Sequence, residues 1–122
     1  MKFIDNEPIF VQIAHRVEQD IASGKWSEGE RIPSTRDLAI ELAVNPATVI
    51  RAYERLTEQS LIESQRGLGY FVSQGAVERI RNLRRSEFLN HTISEFINAM
   101  HRVGVSVDEV IERLKQSNHN AC

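Results

Sequence analysis

The stretch IPSTRDLAIELAVNPATVIRAYERL, residues 32–56, constrains this chain more than any other. It reads as two short helices joined by a tight turn. Ser34 is placed to cap the first, and Asp37 three residues on completes a capping-box pattern. Leu38 and Leu42 then fall four apart on one face. Asn45 is placed to cap the second helix, and Pro46 suits its first position, where a missing N–H costs little. Val49, Tyr53 and Leu56 follow at spacings of four and three, which predicts one buried stripe. Ala47, Thr48, Arg51 and Arg55 fall on the opposite face. Small residues at a helix start, with a hydroxyl and arginines facing out, suit entry into a DNA major groove.

Residues 61–73, LIESQRGLGYFVS, read as a β-hairpin. Leu61 and Ile62 open one strand, and Tyr70, Phe71 and Val72 form the other. Arg66, Gly67, Leu68 and Gly69 supply the turn, since glycine permits positive φ. Helix, helix, hairpin is the order of a winged helix. An arginine beside glycine at a hairpin tip lets a cation and bare backbone approach phosphates or the minor groove.

The segments RIPSTRDLA, VNPATVIRAYERL and GLGYFV resemble the N-terminal domain of the GntR family of bacterial transcription regulators, over about residues 8–73. The asparagine-proline pair and the short C-terminal region resemble the YtrA subfamily in particular. The resemblance implies a homodimeric repressor acting on double-stranded DNA at a palindromic operator, with transporter genes among the targets. It assigns DNA contact to Arg36. It puts Asn45, Pro46, Ala47 and Thr48 where the family reads the major groove, and Arg66 with Gly67 at the wing contact. Arg31, Ser34 and Thr35 flank Arg36 and complete the expected DNA-binding set. Many relatives carry arginine directly after the T-V pair. Here Ile50 stands there, and Arg51 is the residue expected to replace it.

Around this centre the chain is mostly helical. Residues 1–7 form a short arm whose Phe3 and Ile4 can pack back on the domain. Pro8 opens a helix to about Ser23, with Ile9, Ile13, Val17 and Ile21 as core stripe and Phe10 beside it; Gly24 ends it. Residues 24–33 read as a loop with Trp26 packing inward. Gly75 marks a junction, and helix is expected from Ala76 to about His101. Its first stripe, Val77, Ile80 and Leu83, and its second, Leu89, Ile93, Phe96, Ile97 and Met100, are out of phase, which predicts a kink or a change of packing partner near Arg85–Phe88. Gly104 stops this helix. Ser106 with Glu109 caps a last one carrying Val107, Val110, Ile111 and Leu114, and the polar tail from Gln116 is expected to fray.

The fold class is therefore mainly α with a small β-hairpin. Residues 1–74 are expected to form a winged helix-turn-helix DNA-binding domain, and residues 75–122 a short two-helix dimerisation region. The latter is too small to enclose a metabolite pocket. Its stripes need cover, either from a second copy of the chain about a twofold axis or from the winged helix itself, and the dimer is the more economical.

Charge gives no global argument for nucleic acid, since the net formal charge is −2. Its distribution matters more: the first thirty residues are acidic, and Arg79, Arg81, Arg84 and Arg85 make a basic run, read as a solvated helix face. The single cysteine, Cys122, fits a reducing cytoplasm. Nothing in the sequence reads as a membrane span or a signal peptide. The histidines at 15, 91, 101 and 119 lack ligand spacing, and the glycines at 67–69 precede no helix. No metal, cofactor or enzymatic activity is expected, and the effector, if one exists, is not specified. The remaining alternative is a winged helix used for protein or RNA contacts, which domination of the recognition side by Glu41, Glu54 and Glu58 would favour.

Overall fold

The computed structural model describes residues 1–120, with side chains through residue 118, so Cys122 and the His119 side chain lie outside the described residues. The order is α1 (Ile9–Ala22), α2 (Thr35–Leu42), α3 (Pro46–Glu58), β1 (Ile62–Gln65), β2 (Gly69–Val72), α4 (Ala76–Glu87), a π-helical turn (Phe88–Thr92), α5 (Ile93–Val103) and α6 (Val107–Asn120). The mainly helical class with one hairpin is thus observed. The chain forms two compact units, Met1–Leu83 and Arg84–Cys122.

In the first unit α1, α2 and α3 pack around one core. Ile13, Val17 and Ile21 of α1 meet Leu38 of α2, Val49, Tyr53 and Leu56 of α3, and Ile62 and Val72 of the hairpin. Ala76 and Ile80 of α4 join them. Ile9, expected in the α1 stripe, is instead exposed. It is the first helical residue, and side chains lean toward a helix N-terminus, so its own points past the end of the packed face. Ile4 is exposed too, although Phe3 packs on the core. What pins the arm at Ile4 is the Gln12 side chain. It accepts from Ile4 N–H at 2.9 Å and donates to the carbonyls of Ile4 and Glu7 at 2.8 Å each.

The hairpin pairs Ile62 with Val72 through to Gln65 with Gly69, so Gly69 belongs to the strand rather than the turn. The end of the expected 24–33 loop also pairs. Ile32 N–H donates to Tyr70 O and Val72 N–H to Glu30 O, each at 2.9 Å, with Arg31 bridged to Phe71. β2 thereby satisfies backbone groups on both edges. Trp26 is half-buried against the core, with Lys25 Nζ 5.1 Å from its ring centroid.

In the second unit, the phase slip between the two stripes takes the form of the π-helical turn. The wider turn takes up an extra residue and re-phases the side chains without breaking the helix. It lies at Phe88–Thr92, just past the expected kink. Gly104, at φ 73°, closes α5, with Val105 N–H donating to Met100 O at 3.0 Å. Ser106 Oγ accepts from Glu109 N–H and donates to the Glu109 carboxylate, both at 3.2 Å, which is the expected cap. The polar run from Gln116 continues α6 to Asn120, since it contains neither glycine nor proline to stop a helix.

Candidate nucleic-acid interface

The recognition geometry starts from two caps. Asp37 N–H donates to Ser34 Oγ at 3.0 Å and Ala47 N–H donates to Asn45 Oδ1 at 2.9 Å. These fix the starts of α2 and α3, and Pro46 occupies the first turn of α3. Between them α2 ends on Ala43 in the left-handed region at φ 55°, with Val44 N–H returning to Ala39 O at 3.0 Å. Glycine is the usual residue for that conformation; alanine holds it here at a cost of about 1 kcal/mol. No sequence signal marked this position.

Val49, Ala52, Tyr53 and Leu56 turn inward from α3. Pro46, Ala47, Ile50, Arg51 and Glu54 are exposed, and Thr48 and Arg55 are half-buried. Asn45 is exposed, as is Arg36 near the start of α2, while Ser34 and Thr35 are half-buried beside it. Arg36, Arg51 and Arg66 pair with no carboxylate among the described residues, whereas Arg16 holds Asp20 and Arg81 holds Glu78, each at 3.5 Å. The acids Glu41, Glu54 and Glu58 are also exposed.

Arg51 has a partner that periodicity did not reveal. Its guanidinium lies 4.0 Å from the centroid of the Phe10 ring. A ring face attracts the cation and orients it while leaving its N–H donors at the edge. The only sequence hint was that Phe10 sits beside the α1 stripe rather than in it.

Tyr53 ties the recognition helix to its surroundings. Its ring meets Tyr70 of the wing edge-on at 4.9 Å, and its hydroxyl donates to Pro33 O at 2.6 Å. Burial first, then the neighbouring Tyr70 and Glu41, pushes the hydroxyl's pKa up, so it stays a donor at any working pH.

At the wing tip Arg66 and Gly67 are exposed, and Gly67 has φ 76°. Arg31 lies across the same hairpin. A Cβ on Gly69 would come within 3.0 Å of Arg31 Nε, so glycine leaves room for that side chain. Arg79, placed by its sequence in a solvated basic run, is exposed and also donates to Ser60 O at 2.9 Å and Gln74 O at 2.8 Å. Glu28 accepts from Gly75 and Val77 N–H at 2.7 and 3.2 Å and so caps α4. The Glu28 cap and the Arg79–Ser60 bond have no local sequence signature, because those partners lie 47 to 49 and 19 residues along the chain.

In the second unit Leu89, Phe96, Ile97, Val107, Ile111 and Leu114 are exposed, Ile93 and Val110 are half-buried, and Met100 is buried. Among the described residues no three of His, Cys, Asp or Glu come together as metal ligands. No helix among them is long and apolar enough to cross a membrane.

This arrangement of capped helix pair and arginine-tipped wing can be set beside known proteins. The family model described as bacterial regulatory proteins, gntR family, matches residues 10–72. The chain belongs to the GntR family. It is 28% identical to the transcriptional repressor YtrA of Bacillus subtilis, over 89% of this chain and 83% of that one. A GntR-family regulator from Bacteroides thetaiotaomicron superposes with a TM-score of 0.81 at 35% identity, covering 93% of this chain and 99% of that one. The DNA-binding domain of AraR, solved with its operator ORR3, matches with a TM-score of 0.55 at 26% identity, covering 60% of this chain and 88% of that one. The protein is thus a DNA-binding GntR transcription regulator with a winged helix-turn-helix fold, and not an enzyme.

Proposed function

We propose that this GntR regulator is a cytoplasmic homodimer that binds a palindromic operator and represses by occluding the promoter. Residues 1–74 act as the DNA-binding domain and residues 75–122 as the dimerisation region. The observation that carries the reading is the set of exposed arginines, Arg36, Arg51 and Arg66, which pair with no carboxylate among the described residues. A guanidinium that holds no carboxylate keeps its N–H donors for guanine or phosphate, which it can bind bidentately.

In this reading α3 enters the major groove with Asn45, Pro46, Ala47, Thr48 and Arg51 toward the bases. Arg36 contacts guanine or phosphate from α2, with Ser34 and Thr35 on the backbone. Arg31, Arg66 and Gly67 approach phosphates or the minor groove from the wing. The exposed acids of α2 and α3 give the protein- or RNA-binding alternative no advantage, because Arg36 and Arg51 beside them hold no carboxylate among the described residues.

Dimerisation is supported by the apolar side chains of the π-helical turn, α5 and α6. Leu89, Phe96, Ile97, Ile111 and Leu114 stand exposed at helical spacing, and a second copy covers them most economically. Two modules joined this way add the contributions of two half-sites. The likeness to the YtrA repressor over most of both chains supports repression; transporter genes as targets are what the resemblance of the sequence to the YtrA subfamily implies.

The test is selection of bound duplexes from a random library at moderate salt. The expected result is a twofold-symmetric motif with half-sites about one helical turn apart. Weak, salt-sensitive binding with no enriched sequence would overturn the reading.

A further inference from the structure

Ile50 stands on the exposed side of α3, three residues after Ala47 and four after Pro46, the spacings that bring helix neighbours onto one face. The residue is 43% exposed. Isoleucine is among the residue types most often fully buried, and the inward face of this helix is already filled by Val49, Ala52, Tyr53 and Leu56. Pro46, Ala47 and Ile50 therefore form a short apolar strip on the first turns of α3, with Arg51 next to it and the acids Glu54 and Glu58 further on. The strip sits on the helix start, the part that meets base edges when such a helix enters the major groove. There, the apolar group a base pair presents is the C5-methyl of thymine.

We propose that Ile50 is a specificity-determining residue that reads a thymine methyl in each operator half-site. The inference rests on the reading of α3 as the major-groove helix. The branched side chain excludes water from the methyl and favours a T·A pair at that position over the others. An arginine at the same place would seek guanine acceptors instead, so the isoleucine changes the base preferred rather than merely losing a contact.

The experiment takes a symmetric duplex from the selection and replaces its thymines, one symmetric pair at a time, by deoxyuridine. This removes the methyl and leaves every hydrogen-bonding group in place. Each duplex is titrated with the full-length wild-type protein and with Ile50→Ala. Because Ile50 is exposed and alanine favours helix, the variant keeps its fold. One substituted position should weaken wild-type binding about fourfold per half-site, the worth of one buried methyl-sized group. The same substitution should leave Ile50→Ala binding unchanged, since protein group and methyl act as a pair. Indifference of the wild type to uracil at every position would overturn the role of Ile50, as would an equal loss in wild type and variant. Those outcomes leave operator binding intact. Failure to enrich any operator would instead remove the major-groove reading, and this inference with it.

Discussion

At the residue scale, recognition depends on a few cations and on what holds them. Arg36→Ala removes an exposed guanidinium with no carboxylate partner among the described residues, so the fold should be unaffected. Operator binding by the dimer should weaken by about 1–3 kcal/mol per contacted half-site. Titration of the folded variant checks this, and unchanged affinity would take Arg36 out of the interface. Phe10→Leu tests the stacked arginine. Loss of the ring should leave Arg51 untethered and cost about 0.5–1 kcal/mol of operator affinity. Phe10→Tyr, which keeps a ring face, should restore it. A folded Phe10→Leu protein with wild-type affinity would make the stacking incidental. Much at this scale was legible in the sequence. Ser34 and Asn45 cap because a short polar side chain beside a helical pattern has one obvious use. Arg51 on Phe10 was not legible, because the pair joins two helices whose relative placement no periodicity specifies. Ala43 was hidden for the opposite reason: a residue with no conformational signature took a conformation that usually needs one.

At the element scale, amphipathic spacing located every helix, and hydrophobic phase even announced the π-helical turn, although its position lay a few residues further on. The hairpin was legible from its glycines. The pairing of residues 29–32 with β2 was not, because GERI carries no strand pattern of its own; its backbone pairs because a free edge of β2 is beside it. The cap on α4 is similarly non-local. The Glu28 carboxyl is held below its ordinary value of 4.5, first by the Gly75 N–H and then by that of Val77, with a smaller pull from the Arg79 charge, against burial, which raises it. A carboxylate with a depressed folded pKa stabilises the fold at pH above its unfolded value. That contribution is lost as pH falls through the folded one. Glu28→Gln should therefore lower stability at neutral pH and flatten the fall in stability below about pH 4.5. Denaturant midpoints measured from neutral to acid pH check it. Parallel curves for wild type and variant would deny Glu28 this role.

At the scale of the whole molecule, the sequence had to say what two apolar stripes with no core of their own are for. α5 and α6 leave Phe96 48% exposed and Ile97 44% exposed, and these are costly to leave in water. If they lie between two copies, Phe96→Glu should shift the protein toward monomer in sedimentation at micromolar concentration while leaving the winged helix folded. A dimer as stable as wild type would place the contact elsewhere. The composition was least informative at this scale. A net charge of −2 hides a set of arginines whose significance lies in where the fold puts them. The central claim is that two chains act together on one symmetric site, and the most direct measurement is the stoichiometry of the complex. The protein is titrated onto a symmetric operator duplex and onto a single half-site, and the mass of each complex is measured by sedimentation. Two chains per symmetric duplex, with no one-chain species along the titration and much weaker binding to the half-site, is the predicted result. One chain per duplex at saturation, with the half-site bound as tightly as the whole, would contradict it.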